Sequence, residues 1–150
     1  MPTEISPRPR ESWEQYFIGM AKSVSRRSSD PSTQHGCVIS SADHRVISVG
    51  YNGPLQGLDD SQIPTTRPDK YFYYLHSEEN CILFANKPLR GCYAFITGHP
   101  CHRCARMLMQ AGIVKIVYGG QESACVDDKD KAATRLMARL KNVELIHLKD

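Results

Sequence analysis

Hydrophobic positions change their period several times along this chain, and each change marks an element. Trp13, Tyr16, Phe17, Met20, Ala21 and Val24 recur at three- and four-residue spacing, which predicts an amphipathic helix over about residues 11–27. Ser28 to Gln34 is polar, with Asp30-Pro31 as a turn signal, and reads as a loop. Cys37-Val38-Ile39-Ser40 and Arg45-Val46-Ile47-Ser48-Val49 read as short strands joined by a tight turn through Ala42-Asp43-His44. Residues 50–75 keep no period; a connection this long is usually functional or partly disordered. A helix is expected from His76 to about Asn86, offering Ile82, Leu83, Phe84 and Ala85 for burial. A strand near Cys92–Thr97 and a helix opened by Pro100 and stopped by Gly112 follow, then a strand at Val114–Tyr118. A helix near Lys129–Leu140 and a strand at Val143–Leu148 come last. Strands alternating with helices predict an α/β fold whose sheet is parallel toward the C-terminus, and the first hairpin makes that sheet mixed.

Bulk properties narrow the function classes. A chain of 150 residues suggests one domain over 1–150. The net charge of +3, from 19 basic and 16 acidic residues, lacks the basic stripe of a stable nucleic-acid binder. No apolar run is long enough to cross a bilayer. Met1 to Glu11 is polar and Pro-containing, with no signal-peptide core, so residues 1–10 are expected to form a flexible arm and the protein to be cytoplasmic. With no sign of secretion, the six cysteines are not a disulfide framework. Cys37, Cys81, Cys92 and Cys125 are expected to be small buried residues.

Two segments carry the chemistry: His76-Ser77-Glu78 and Pro100-Cys101-His102-Arg103-Cys104. One imidazole and two thiolates suit Zn²⁺ and leave a tetrahedral position open for water, which zinc can ionise near neutral pH. Cys101 and Cys104, three residues apart, share a helical face, and a helix N-terminus favours thiolate over thiol. His76, Cys101 and Cys104 are therefore the expected metal ligands, and Glu78 is placed to move protons. C-x-x-C alone also occurs in structural zinc sites and redox pairs. The first needs a fourth ligand, for which His99 is the nearest candidate, and the second leaves His76 and Glu78 unexplained. The combined pattern is the signature of zinc nucleobase deaminases.

Further segments sharpen the resemblance. Arg27-Ser28-Ser29-Asp30-Pro31-Ser32-Thr33-Gln34, Gly50-Tyr51-Asn52-Gly53, His76-Ser77-Glu78-Glu79-Asn80 and Pro100 to Ile113 together resemble the deoxycytidylate deaminase family over roughly residues 13–120. The resemblance implies a three-layer α/β/α fold with a five-stranded mixed sheet, and zinc-dependent hydrolysis of dCMP to dUMP and ammonia. It implies His76, Cys101 and Cys104 as ligands and Glu78 as proton shuttle, with Asn52 on the deoxyribose, Arg26 on the phosphate, and Tyr118 on base or phosphate. Ser77 stands where the family usually has Ala; its backbone N–H can still serve substrate. The resemblance further implies a homohexamer activated by dCTP and inhibited by dTTP with Mg²⁺, the effectors lying at Gly50, Tyr51, Asn52 and Gly53.

Simpler readings stand beside these. Asn52-Gly53 is a natural turn, Arg26 suits a helix C-terminus, and Tyr118 suits a half-buried strand. His35, His44 and His147 read as structural or exposed, and Asp59-Asp60 as a solvated loop that can also hold a magnesium triphosphate. Lys22 and Arg106 read as helix surface. The competing functions are a polynucleotide deaminase, a free-nucleoside or pterin-pathway deaminase, and a non-catalytic zinc-binding module, for which Glu78 has no use.

Overall fold

The computed structural model describes residues 5–149. Of the expected arm, residues 1–4 lie outside those described, and residues 5–10 are exposed without regular structure. Helix α1 spans Trp13–Ser25. It starts there because Ser12 and Gln15 bond reciprocally, each side-chain oxygen accepting from the other's backbone N–H at 3.1 and 2.9 Å. Strands β1 (Gly36–Ser40) and β2 (Val46–Tyr51) follow, joined by a turn in which His44 is left-handed at φ 67°.

The expected long loop is more structured than its sequence suggests. A two-residue strand β3 (Gly53–Pro54) pairs antiparallel with β4 (Tyr74–Leu75), and short 3-10 turns cover Asp60–Gln62 and Asp69–Phe72. Asn52-Gly53 is therefore not a turn: Gly53 sits opposite Leu75, and neither residue is left-handed. Then come α2 (Ser77–Leu83), β5 (Tyr93–Gly98), α3 (His102–Gln110), β6 (Lys115–Gln121), α4 (Asp128–Lys141) and β7 (Glu144–His147).

The five long strands form one mixed sheet in the order β2-β1-β5-β6-β7. β1 runs antiparallel to β2 and β5, whereas β5, β6 and β7 are parallel, as the alternation of elements predicts. Successive residues along each central strand feed opposite layers. Val38, Phe95 and Val117 pack under α1 with Phe17, Ile18 and Ala21. Cys37, Ile39, Ala94, Ile96 and Ile116 pack on the other face, against Cys81 of α2, Leu108 of α3 and Ala138 of α4. The result is the three-layer α/β/α fold with a five-stranded mixed sheet.

Three burial expectations are corrected. Leu83 and Phe84 are exposed, because α2 is only seven residues long and buries Ser77, Glu78 and Cys81 instead. Cys125 is exposed, in the segment between β6 and α4. Trp13 and Tyr16 lie at the rim of α1, Trp13 stacked on His44 at 4.1 Å.

Candidate active site

Two helix starts meet above the C-terminal edge of β5. His76 is the N-cap of α2 and Cys101 the N-cap of α3, both with extended backbone. Pro100 thus precedes the cap rather than opening the helix. Glu79 fixes the α2 start, its carboxylate accepting from the His76 backbone N–H at 2.9 Å. Cys101 Sγ accepts from the Cys104 N–H at 3.5 Å, so a thiolate takes the capping role that oxygen usually plays.

The segment Gly50 to Asn52 determines where α2 lies. A methyl group at Gly50 would stand 2.5 Å from both the Ser77 carbonyl oxygen and the Cys81 amide nitrogen, so only glycine lets the helix pass this close. The Ser48 hydroxyl donates to the Cys81 carbonyl at 2.7 Å, and the Asn80 side chain donates to the Tyr51 carbonyl at 2.8 Å. β2 thereby seats the helix that carries His76 and Glu78.

α3 is held from the other side by α4. Asp130 Oδ1 accepts from the His102 backbone N–H at 2.8 Å and lies 2.6 Å from His102 Nδ1. Asp130 also closes a capping box with Asp127 at the start of α4. His102 faces away from the ligands, as the helical spacing predicts. His99 lies at the rim, its Nδ1 donating to the Pro100 carbonyl at 2.8 Å.

His76 Nδ1, Cys101 Sγ and Cys104 Sγ all lie within 4.8 Å of one another, with Nδ1 3.7 Å from Cys101 Sγ and 3.3 Å from Cys104 Sγ. A tetrahedral zinc with its usual bond lengths separates N and S ligands by about 3.5 Å, so this donor set fits Zn²⁺. The protons follow the same logic. The Cys104 thiol bonds to Cys101 and, with His76, holds the Cys101 thiol down to about 3. That bond and burial push Cys104 up, and the bond to Cys101 lifts His76 to about 9. The set carries protons that a bound cation displaces.

Glu78 belongs to the same cavity but not to the ligand set. Its carboxyl is buried, and burial raises its pKa against the opposing hydrogen bond from Ser77 and the charge of His76. The cavity wall is assembled from distant segments: Asp30, Thr33, His35, Asn52, Arg67, Lys70, Tyr71 and Tyr74, together with Ser123, Cys125 and Val126. Asn52 is nearly out of solvent. Its Oδ1 accepts from the His35 N–H at 2.8 Å, and its Nδ2 donates to the Thr33 carbonyl at 3.0 Å, so it also braces the wall it lines.

Several wall residues were not singled out from the sequence. His35 lines the cavity rather than the surface, and burial followed by the neighbouring His76 lowers its pKa to about 4. Arg67, Lys70, Tyr71 and Tyr74 arrive through the β3–β4 ribbon and the turn at Asp69–Phe72, a placement no linear spacing announces. Of the other expected substrate residues, Ser77 and Asn52 border the cavity, whereas Arg26 and Tyr118 do not. Arg26 terminates α1 with its guanidinium 3.5 Å from Ser23 Oγ. The Tyr118 ring is stacked on His147 at 4.8 Å and meets His99 edge-on at 4.6 Å, in an adjoining cleft that also contains Lys131 and Arg135. Gly50, Tyr51 and Gly53 line an open depression on the outer side of β2 with Arg27, Asp60 and Asn80, while Asn52 between them faces inward. Asp59 caps the first 3-10 turn, accepting from the Ser61 N–H at 3.0 Å.

The sequence profile described as the cytidine and deoxycytidylate deaminase zinc-binding region matches residues 11–120. The chain belongs to this family. It is a deaminase, a hydrolase, and His76, Cys101 and Cys104 fall within the matched region. An uncharacterised deaminase from the luxG 3′ region of Aliivibrio fischeri is 45% identical over 104 residues, covering 69% of this chain and 70% of its own. The deoxycytidylate deaminase of Mus musculus is 31% identical over 151 residues, covering 94% and 84%. That of Homo sapiens is 31% identical over 152 residues, with the same coverage. The dCMP deaminase of cyanophage S-TIM5, solved with dCMP and dUMP, shares the fold at a TM-score of 0.72 and 19% identity, covering 94% of this chain and all of that one.

Proposed function

We propose that this chain, acting as a single deaminase domain, hydrolyses dCMP to dUMP and ammonia. The observation that carries the reading is the buried Glu78 carboxylate sharing a cavity with three zinc-spaced donor atoms. Relatives named deoxycytidylate deaminase, matched over most of their length, support the choice of substrate.

His76, Cys101 and Cys104 would hold zinc, which when bound would supply the Lewis acidity that lowers the pKa of water. Glu78 would take a proton from the attacking water and deliver it to N3 of the cytosine ring. The water oxygen would add at C4, and Glu78 would then move the proton of the new C4 hydroxyl to the amine, so that the C–N bond breaks, ammonia leaves and a carbonyl remains. One carboxylate could serve both transfers because Glu78 lines the cavity while shielded from bulk solvent. The Ser77 backbone N–H is available to the base. Asn52 Oδ1 keeps a lone pair for the deoxyribose hydroxyl. Arg67, on the cavity wall, is the cation we assign to the 5′-phosphate, in preference to Arg26 and to Tyr118 with the adjoining cleft.

Regulation extends this reading. dCTP as activator and dTTP with Mg²⁺ as inhibitor would act from the depression at Gly50, Tyr51 and Gly53, with Asn52 relaying to substrate from the same segment, in a cytoplasmic homohexamer. Purified protein tested against dCMP, CMP, deoxycytidine, dCTP and single-stranded DNA should release ammonia fastest from dCMP. A preference for deoxycytidine or for DNA overturns the substrate assignment. Saturation curves for dCMP should shift with each triphosphate, and light scattering should give six times the chain mass. A curve indifferent to both overturns the regulatory part, and a monomeric mass overturns the assembly.

A further inference from the structure

Ser77 is the first residue of α2, between the ligand His76 and the proton carrier Glu78, and its side chain is wholly buried. A serine inside a helix usually turns its hydroxyl back to a carbonyl one turn earlier. At the first helical position there is no earlier turn. The Ser77 hydroxyl instead donates to Glu78 Oε1 at 2.6 Å, the length of a charge-assisted O–H···O⁻ bond. Gly50 packs against the carbonyl of the same residue, so the backbone that aims this hydroxyl is fixed by β2.

We propose that the Ser77 hydroxyl is a positioning group for proton transfer: by occupying Glu78 Oε1, it makes Oε2 the oxygen that takes and delivers the proton. The inference rests on the proposed role of Glu78. A hydroxyl has one hydrogen, and Ser77 spends it on Oε1. The bond satisfies part of the charge on Oε1 and makes it the less basic oxygen, whereas a proton arriving at Oε2 leaves the bond undisturbed. Held at one oxygen, the carboxyl keeps a single orientation while its proton shuttles between water, N3 and the amine. An alanine at 77 removes the side-chain donor and leaves the carboxyl with only the hydrogen bond from its own backbone N–H. The hydroxyl therefore acts on turnover through Glu78, and not on substrate affinity.

The test is steady-state kinetics of zinc-loaded Ser77→Ala and Ser77→Cys, with zinc content and thermal midpoint measured alongside. Ser77→Ala should lower kcat about 10- to 100-fold, the range for losing a hydrogen bond to a charged group, with KM changed less than about twofold and zinc stoichiometry retained. Ser77→Cys keeps the shape and offers a weaker donor, so it should fall between alanine and wild type. Wild-type kcat in Ser77→Ala overturns the proposal, as does a fall that tracks lost zinc or lost stability. A Ser77→Cys variant as fast as wild type overturns it too, because shape and not donation would then be what matters. Glu78→Gln is the control for the underlying reading: if it turns over normally the shuttle assignment fails, whereas a dead Glu78→Gln beside a fully active Ser77→Ala defeats only the role given to Ser77.

Discussion

The Lys70 ammonium lies 2.9 and 2.8 Å from the two carboxylate oxygens of Asp30, forty positions apart in the chain, and both side chains are only 4% exposed. This ion pair ties the turn at Asp69–Phe72 to the loop after α1, and both residues line the catalytic cavity. Asn52 Nδ2 adds a longer contact to the same carboxylate at 3.4 Å. Lys70→Met leaves a buried carboxylate without its cation, and breaking one side of such a pair typically costs about 3–5 kcal/mol. Urea denaturation should show a loss of that order. The double variant Asp30→Asn/Lys70→Met should be less destabilised than Lys70→Met alone.

The same pair sets an acid limit. Burial pushes the Asp30 carboxyl up, but the Lys70 ammonium and the Ser32 and Thr33 amides outweigh it, so its pKa is lowered overall. A carboxyl held lower in the folded state stabilises the protein above its unfolded pKa, near 4, and that contribution is lost as pH falls through the folded value. Thermal midpoints should therefore drop below about pH 4, with a smaller pH dependence in Asp30→Asn. An equal acid slope in the two proteins would remove Asp30 from the account.

Cys101→Ala and Cys104→Ala each delete one donor of a three-donor set and should bind zinc far below one equivalent after dialysis, as measured by atomic emission. Deamination should fall in parallel. Full zinc content in either variant contradicts the ligand assignment.

Glu78→Gln keeps nearly the same shape and removes the proton carrier. Zinc content and circular dichroism should match wild type, while kcat falls by at least about 10²–10⁴-fold, the usual contribution of a general acid–base group.

Gly50→Ala tests the seating of α2. The added methyl would meet backbone atoms of Ser77 and Cys81, which cannot rotate away. Overpacking of this kind costs typically about 1–3 kcal/mol, and here it displaces the helix bearing His76 and Glu78. Stability and kcat should fall together. By contrast, Gly53→Ala, with nothing within 4 Å of the added carbon, should be close to neutral for stability.

Arg67→Ala should lower kcat/KM for dCMP far more than for deoxycytidine, because only the nucleotide presents a phosphate. Arg26→Ala, at an exposed helix end, should change both little. The reverse pattern would move the phosphate site to the end of α1.

The clustering of His76, Cys101 and Cys104 beside Glu78 was legible because it is written in short linear spacings at two helix starts. The alternation of strands and helices was legible for a similar reason: each central strand is a compact apolar run, and its burial on both faces follows. Other features are tertiary. Gly50 reads only as part of the effector segment until α2 is seen to lie against it. Arg67, Lys70, Tyr71 and Tyr74 sit in a stretch without period, and only the Asp30 pairing and the β3–β4 ribbon bring them to the cavity. Leu83 and Phe84 have the composition of core residues, yet the helix ends before it can turn them inward.

The clasp between His102 and Asp130 has a bearing on how much chain this chemistry requires. The three clustered donor atoms and Glu78 lie before residue 105, and the family-profile match ends at 120. Yet the opening amide of α3 is anchored by a carboxylate from α4, beyond both limits. A shortened version ending near residue 121 would retain the whole reactive inventory while losing the brace that aims two of its sulfurs. The mechanical support of α3 thus reaches past the reactive residues, into the first turn of α4.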